Sequence, residues 1–405
     1  AKRASTALAR ASTDSKNEAL AAMAKSVMSS VASLLDANRE DVEAASVSGI
    51  SRALIDRLTL NERRIQGMAD GLLAVAEQPD PVGAVIEEWT RPNGLRIQKV
   101  RAPLGVVAVI YEARPNVTAD VAGLCLKSGN ASLLRGSSQA LATNRAVTSL
   151  LRRAVAEAGL PEDAIVLVEN TGRDTAMEIM RLKGLVDLLV PRGGAALVRS
   201  IEENAIVPFI IDGDGNCHVY VDRAADPTKA SAVVMNAKCQ RPSVCNAAET
   251  LLVHAEMAPW WLPGMLDQLA AAGVEIRGDE EVRRLWPPAK PASEQDWATE
   301  YLDLILAVRI VGSLEEAIAH VNRWGTSNAE AIVTEDPEAA RRFVHEVDSG
   351  SLFVNASTRF SDGGEFGYGA EIGISTQKLH ARGPMGLKEL TTYKYVVWGD
   401  GQVRS

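Results

Sequence analysis

Cysteine is the side chain best suited to covalent chemistry, and this chain has four, Cys125, Cys217, Cys239 and Cys245. Four in so long a chain do not make a disulfide framework, and no CxxC or HxxxH spacing offers a zinc site. Each must be judged by its surroundings. Cys125 sits in the apolar helical stretch VAGLCLK and is expected in the core, and Cys217 opens the strand-like CHVYV and is expected to pack. Cys245 lies in NAKCQRPSVCNAAET (236–250), after Arg241-Pro242-Ser243-Val244 and before Asn246, between a predicted helix and a predicted strand. A loop cysteine on a polar, arginine-bearing turn has the setting that favours a thiolate, the nucleophilic form. An isolated cysteine is more often buried and inert. Cys239, six residues earlier at a helix end, is the competitor.

Such a loop needs a scaffold. Between 104 and 211, apolar strand candidates (106–110, 132–134, 165–168, 186–190 and 207–211) alternate with helical stretches (119–127, 141–158, 175–182 and 195–203). Repeated strand-helix units predict a parallel sheet covered on both faces, the architecture of a dinucleotide-binding domain. A second alternating block from 249 to 355 places strands near 251–254, 305–311, 329–334 and 351–354, with helices at 315–324 and 337–346. Residues 14–78 read as helices, the first amphipathic through Leu20, Met23, Val27, Val31 and Leu34. Asn93-Gly94, between extended stretches, predicts a hairpin at 83–101, as an exposed arm would have. The tail 390–398 reads as a last strand able to pair with it. The fold class is therefore α/β: a Rossmann-like parallel-sheet cofactor domain (1–82 and 102–226), an α/β catalytic domain (227–385) and a small β oligomerisation arm (83–101 and 386–405).

The chain has 405 residues, 46% hydrophobic and 23% charged, the balance of a soluble globular protein of more than one domain. A net charge of -9 argues against a general nucleic-acid or anionic-membrane binder. No apolar run reaches the length of a membrane span, so neither nucleic acid nor membrane is expected as a partner. Lys2, Arg3 and Arg10 among Ala and Ser faintly suggest a transit peptide, but the helical periodicity that follows favours the first helix of the domain. A chain that begins at Ala1 is expected to have lost an initiator Met or a longer start. Free thiols point to the cytoplasm.

Six stretches, in order, carry a resemblance: RAPLGVVAVIYEARPNVTAD (101–120), LLRGSS (133–138), DLLVPRGGAALVR (187–199), NAKCQRPSVCN (236–246), NASTRFSDGGEFGYGAEIGISTQKLHARGPMG (355–386) and LTTYKY (390–395). Together they resemble the gamma-glutamyl phosphate reductases, within the aldehyde-dehydrogenase superfamily, over essentially the whole chain. The resemblance implies Cys245 as nucleophile in preference to Cys239. It implies Asn116 as the amide that, with the Cys245 backbone N–H, holds the oxyanion of a tetrahedral intermediate, a task suited to a donor that keeps its proton. Read locally, Asn116 is a helix N-cap before a helix starting near Thr118. Glu300, locally an ordinary solvated carboxylate, matches the residue that anchors the nicotinamide ribose. Pro191-Arg192-Gly193-Gly194 matches a turn under the cofactor, where glycines let backbone approach a phosphate.

Two departures from the wider superfamily bear on chemistry. Where many members carry Lys-Pro-Ser-Glu, with Glu on the adenosine ribose, this chain has Arg135-Gly136-Ser137-Ser138. A carboxylate would repel a 2′-phosphate, whereas Arg135, Ser137 and Ser138 can bind one, which favours NADPH over NADH. Where those enzymes place a catalytic Glu on a Glu-Leu-Gly-Gly turn, the sequence here is Ile211-Asp212-Gly213-Asp214-Gly215, so a water-activating base is missing or shortened to Asp212. That turn resembles neither a calcium loop, since Cys217 and Arg223 stand where Gly and Glu are needed, nor a Rossmann fingerprint, since a strand follows.

The resemblance implies reduction of L-glutamyl 5-phosphate to L-glutamate 5-semialdehyde through a Cys245 thioester, on the way to proline. Arg241, Arg359, His380 and Arg382 are candidates for the substrate's phosphate and carboxylate, and Asp362 or Glu371 for its ammonium. A homo-oligomer, dimer or higher, and functional coupling to glutamate 5-kinase are expected. The alternatives are another NAD(P)-dependent aldehyde dehydrogenase oxidising a free aldehyde, which the weak base turn disfavours, and a scaffold on an inactive fold, which Cys245, Asn116 and Glu300 together disfavour.

Overall fold

Alternating apolar and amphipathic segments resolve into two parallel sheets, each belonging to its own unit. The computed structural model describes residues 1–50 and 52–404. Residue 51, within the predicted helical stretch 14–78, and residue 405, at the end of the predicted arm, lie outside the described residues. The first unit comprises Ala1–Ile211, Gly367–Gly373 and Met385–Ser405, and the second Asp212–Phe366 and Ile374–Pro384.

In the first unit four parallel strands lie in the order Ile165–Leu167, Ala131–Arg135, Val106–Tyr111 and Leu188–Arg192. Val106–Tyr111 reads VVAVIY without a polar residue and is buried along its length, as a strand covered on both faces requires. The chain leaves this strand toward 131–135 and 165–167, then returns to its other side at 188–192. Strand order therefore reverses between Val106–Tyr111 and Leu188–Arg192, the topological switch point at which open α/β sheets bind ligands, outside the carboxyl ends of the strands. Helices Thr13–Ser29, Glu62–Glu77, Asn116–Lys127 and Leu141–Glu157 pack in this unit.

Three expectations are corrected here. Residues 207–211 form no strand, only a bridge from Phe209 to Leu189, because Pro208 has no N–H to give a ladder. The helix expected at 175–182 runs from Arg173 to Ile179. The helix expected near Thr118 starts at Asn116 behind Pro115, and no side chain caps it.

The hairpin forms as expected. Val85–Thr90 pairs antiparallel with Arg96–Pro103 around a turn in which Gly94 has φ 84°, and Thr391–Trp398 pairs along the whole of Arg96–Pro103. Trp89, Tyr393, Tyr395 and Trp398 are exposed on this three-stranded sheet.

The second unit holds seven parallel strands in the order Lys290–Pro291, Glu275–Gly278, Ile305–Val311, Ala248–His254, Cys217–Val221, Ala329–Val333 and Ser351–Val354. Cys217–Val221 lies inside this sheet, so the division falls after Ile211 and not, as expected, after residue 226. Val219, Leu251, Val253, Trp261, Leu262 and Val308 make part of its core. No single helix among the described residues is long and apolar enough to cross a membrane.

Candidate active site

Cys245 sits in the loop between helix Pro227–Cys239 and strand Ala248–His254, partly exposed. The loop is tied down from three sides. Asn246 donates its amide to the Ser361 carbonyl at 3.0 Å and its own carbonyl accepts from Thr358 Oγ1 at 2.7 Å. From beneath, the buried Cys217 thiol donates to the Cys245 carbonyl at 3.2 Å. Gly215 lies against the same carbonyl, and a Cβ built on it would fall 1.9 Å from the Cys245 oxygen. No residue but glycine fits there.

The four thiols are sorted by burial. Cys125 and Cys217 are buried, and burial pushes both thiols up. Glu330 raises Cys217 further, so it acts as an S–H donor and not as a second nucleophile. Cys239 packs against the core, and burial raises its thiol too, against a smaller opposing effect of Lys238. Around Cys245 the field is cationic. Half-buried Arg359 donates Nε to Gln240 Oε1 at 2.9 Å, and its pKa is depressed by burial and then by Arg241, while Asp362, Cys245 and Cys217 act to raise it. A cation under those constraints favours a nearby anion, and a thiolate is one.

Glu300 is not the solvated carboxylate that a local reading suggests. It is partly buried, burial raises its pKa, and a hydrogen bond from the Gly215 backbone N–H acts to lower it, with Asp214 nearby as a repelling charge. The turn 213–215 thus spans from the Cys245 carbonyl to Glu300, and Gly213 N–H is bonded to Thr376 Oγ1 at 3.2 Å.

In the first unit a second cluster occupies the switch point. Glu112, just past the central strand, accepts the Gly194 N–H at 2.8 Å, and its own N–H donates to the Arg192 carbonyl at 3.1 Å. Asn116 is exposed on the first turn of its helix and donates its amide to Asp120 Oδ2 at 2.9 Å. Burial raises Asp120 to about 6, with Asn116 and Arg192 opposing. Gly136 is required by packing, because a Cβ there would lie 2.2 Å from Asn144 Nδ2. Arg135 donates Nη2 to the carbonyls of Thr171 and Gly172, and Ser137 Oγ caps the Gln139 N–H at 3.2 Å. Ser138 is exposed beside them.

The structure thus joins Cys245, Arg241 and Arg359 in the field of one loop, and Asn116 and Arg192 in the field of Asp120. Arg382 is held elsewhere, paired with Asp348 at 2.9 Å, which also takes Lys378. His380 is exposed. Sequence reasoning missed Gly215, Cys217, Gln240, Asp120 and Glu112 as site residues. A usable signal was Gly215 itself, a glycine left unexplained once the Rossmann fingerprint had failed.

Residues 1–284 and 293–396 match the aldehyde dehydrogenase family. A gamma-glutamyl phosphate reductase of Moorella thermoacetica is 56% identical over 404 residues, covering 100% of this chain and 97% of that protein. One from Caldanaerobacter subterraneus subsp. tengcongensis is 54% identical over 404 residues, covering 100% and 98%. The crystal structure of gamma-glutamyl phosphate reductase from Thermotoga maritima superposes with a TM-score of 0.97 at 48% identity, covering 100% of this chain and 98% of that one.

Two outcomes follow from this geometry. Gly215→Ala should push the Cys245 loop aside and slow alkylation of Cys245 by iodoacetamide roughly tenfold or more, through loss of its field. Peptide mass mapping reads this, and an unchanged rate would mean that the loop holds its place without Gly215. Asp120 carries its proton more tightly folded than unfolded, at about 6 against 3.8. Its contribution to stability is therefore full below about pH 4 and lost as pH rises through about 6. Asp120→Asn should flatten the fall in melting temperature across that window, and parallel curves for parent and variant would refute the assignment.

Proposed function

The chain belongs to the aldehyde dehydrogenase family, and from that premise we propose that it reduces L-glutamyl 5-phosphate to L-glutamate 5-semialdehyde and phosphate with NADPH, a step of L-proline biosynthesis in the cytoplasm. The observation that carries this reading is the Cys245 loop. Its thiol stands partly exposed in a cationic field, while its own backbone is fixed by Gly215 and Cys217. Full-length identity of 54–56% to proteins of that name supports the substrate.

In this reading the Cys245 thiolate attacks the acyl carbon of the substrate. The carbonyl oxygen takes the negative charge, for which the Cys245 backbone N–H and the Asn116 amide are the assigned donors. Collapse breaks the bond to the phosphate oxygen and leaves a thioester on Cys245. Arg241 and Arg359 would bind the departing phosphate, while Arg382, paired with Asp348, is given no part in binding the substrate. Asp212 and Asp214 are a poor base turn for water, so the thioester waits. NADPH, when bound, supplies the hydride that this thioester requires. Loss of the Cys245 thiolate from the reduced carbon then frees the aldehyde.

The residues present suit that cofactor. The Gly193-Gly194 turn opens helix Ala195–Asn204 at the switch point, where phosphates bind backbone N–H groups. Arg135, fixed by the Thr171 and Gly172 carbonyls, and the hydroxyls of Ser137 and Ser138 would hold the 2′-phosphate. Glu300, partly buried and oriented by the Gly215 N–H, would hold the ribose of the nicotinamide. The exposed aromatic residues Trp89, Tyr393 and Tyr395 support assembly through the three-stranded sheet into a homo-oligomer.

Cys245→Ala should abolish turnover and leave NADPH binding intact, whereas Cys239→Ala should keep substantial activity. Without NADPH, the parent enzyme mixed with glutamyl phosphate made in situ should release about one phosphate per active site and then slow sharply. Sustained release dependent on Cys245 would show that water is already activated. Ser138→Glu should raise KM for NADPH far more than for NADH by repelling the 2′-phosphate. Equal effects would place that phosphate elsewhere.

A further inference from the structure

One buried charged pair has no part in the chemistry so far. Lys238 Nζ donates to Glu249 Oε2 at 2.6 Å, and both side chains are 0% exposed. Glu249 belongs to strand Ala248–His254, in which every residue is buried. A buried ion pair is costly to desolvate, and apolar residues of similar volume commonly serve a core as well or better. The position of the pair gives it another use. Lys238 lies in the last turn of helix Pro227–Cys239 and Glu249 is the second residue of the strand, so the pair closes the two ends of the Cys245 loop.

Glu249 also reaches onward. Its second oxygen, Oε1, accepts the Leu302 N–H at 3.2 Å, two residues after Glu300. Leu302 has φ 54°, a left-handed conformation that a leucine keeps only where its surroundings hold it. Glu300 in turn accepts the Gly215 N–H, and Gly215 lies against the Cys245 carbonyl. The contacts form a closed circuit: the loop ends through Lys238 and Glu249, the 300–302 segment, Gly215, and back to the loop.

We infer that Lys238 and Glu249 are a positioning pair that sets the Glu300 segment against the Cys245 loop, so that the carboxylate meant for the cofactor ribose is held in register with the nucleophile. This inference rests on the roles given to Glu300 and Cys245 above. Neither member touches reacting atoms. Burial raises Glu249 to about 7 and lowers Lys238, and the contact between them survives whichever group holds the proton.

Two neutral double variants separate positioning from packing. Lys238→Met with Glu249→Gln removes both charges and keeps an acceptor for the Leu302 N–H. Lys238→Met with Glu249→Met removes the acceptor as well. NADPH binding is read by nicotinamide fluorescence, which needs no substrate, alongside kcat and KM. The Gln form should bind NADPH close to parent affinity, and the Met form about tenfold more weakly, the size of one lost hydrogen bond. Equal affinities in two folded variants overturn the inference, as does a loss of active fraction with affinity unchanged. If the parent itself fails to bind NADPH, the role of Glu300 has failed and the inference falls with it. Where the Met form does not fold, hydrogen exchange at the Leu302 amide reads the same tie. By reciprocity, NADPH must slow that exchange in the parent, and an unchanged rate overturns the inference.

Discussion

The carbonyl oxygen of Cys245 occupies the space that any side chain at position 215 would need, and the second unit is arranged around that contact. Cys217 and Ala248 are register partners in neighbouring parallel strands. The chain therefore enters both strands at the same end, with the turn 213–215 leading into one and the Cys245 loop into the other. Two backbones approaching this closely leave room for hydrogen atoms only, which glycine alone supplies. The same residue turns its N–H to Glu300. A single small residue so fixes the Cys245 peptide and the Glu300 carboxylate, without contributing a functional group of its own.

Charge is distributed around this contact by burial as much as by residue type. Three of the four cysteines have their thiols raised by burial, and each remains a neutral packing group or a weak donor. Cys245 differs in exposure, standing only partly buried in the loop that leads into strand Ala248–His254. Arg359 is pressed the other way, its charged form disfavoured by burial and by Arg241. Two like charges held together are stabilised by any anion that enters. In the mechanism proposed above, such a field favours the ionised nucleophile before attack and the leaving group after it. Under that proposal the same arginines serve both moments, because the phosphate carries the charge that the sulfur gives up on forming its bond.

Periodicity was legible wherever one segment answered to one environment. The alternation that predicted one parallel sheet and a second α/β block is present, although Glu275–Gly278 and Lys290–Pro291 join the second sheet without having been expected, and Asn93-Gly94 placed the hairpin. Failures occurred where a local rule met a non-local one. Val207–Ile211 has the apolar content of a strand, but Pro208 interrupts the ladder. Cys217–Val221 lies close in sequence to the first sheet and pairs with the second, and no periodicity reports which partner a strand takes. Asn116 fits an N-cap by composition, yet Pro115, with its fixed φ, takes the cap position and puts Asn116 inside the helix. Lys238 and Glu249 were unreadable for a different reason. Their meaning lies in a hydrogen bond to residue 302, and only a glutamate near the start of the largely apolar strand AETLLVH hinted that a partner must exist.

The turn at 211–215 shows how one sequence departure reorganises a site. A longer acidic side chain in that turn would be free to reach toward a thioester and activate water. Here the turn is committed to holding backbone: Gly213 N–H is bonded to Thr376, Gly215 N–H to Glu300, and Gly215 is pressed on the nucleophile's carbonyl. Asp214 is exposed and stands near enough to Glu300 to repel it. Moving an ionised carboxylate inward from there would bring two like charges together in a partly buried setting, which disfavours both. The geometry that orients Glu300 therefore also discourages a base at this turn. In the proposed mechanism, protection of an acyl-enzyme from water and orientation of the carboxylate assigned to the ribose become consequences of the same five residues, and a substitution that improves one is constrained by the other.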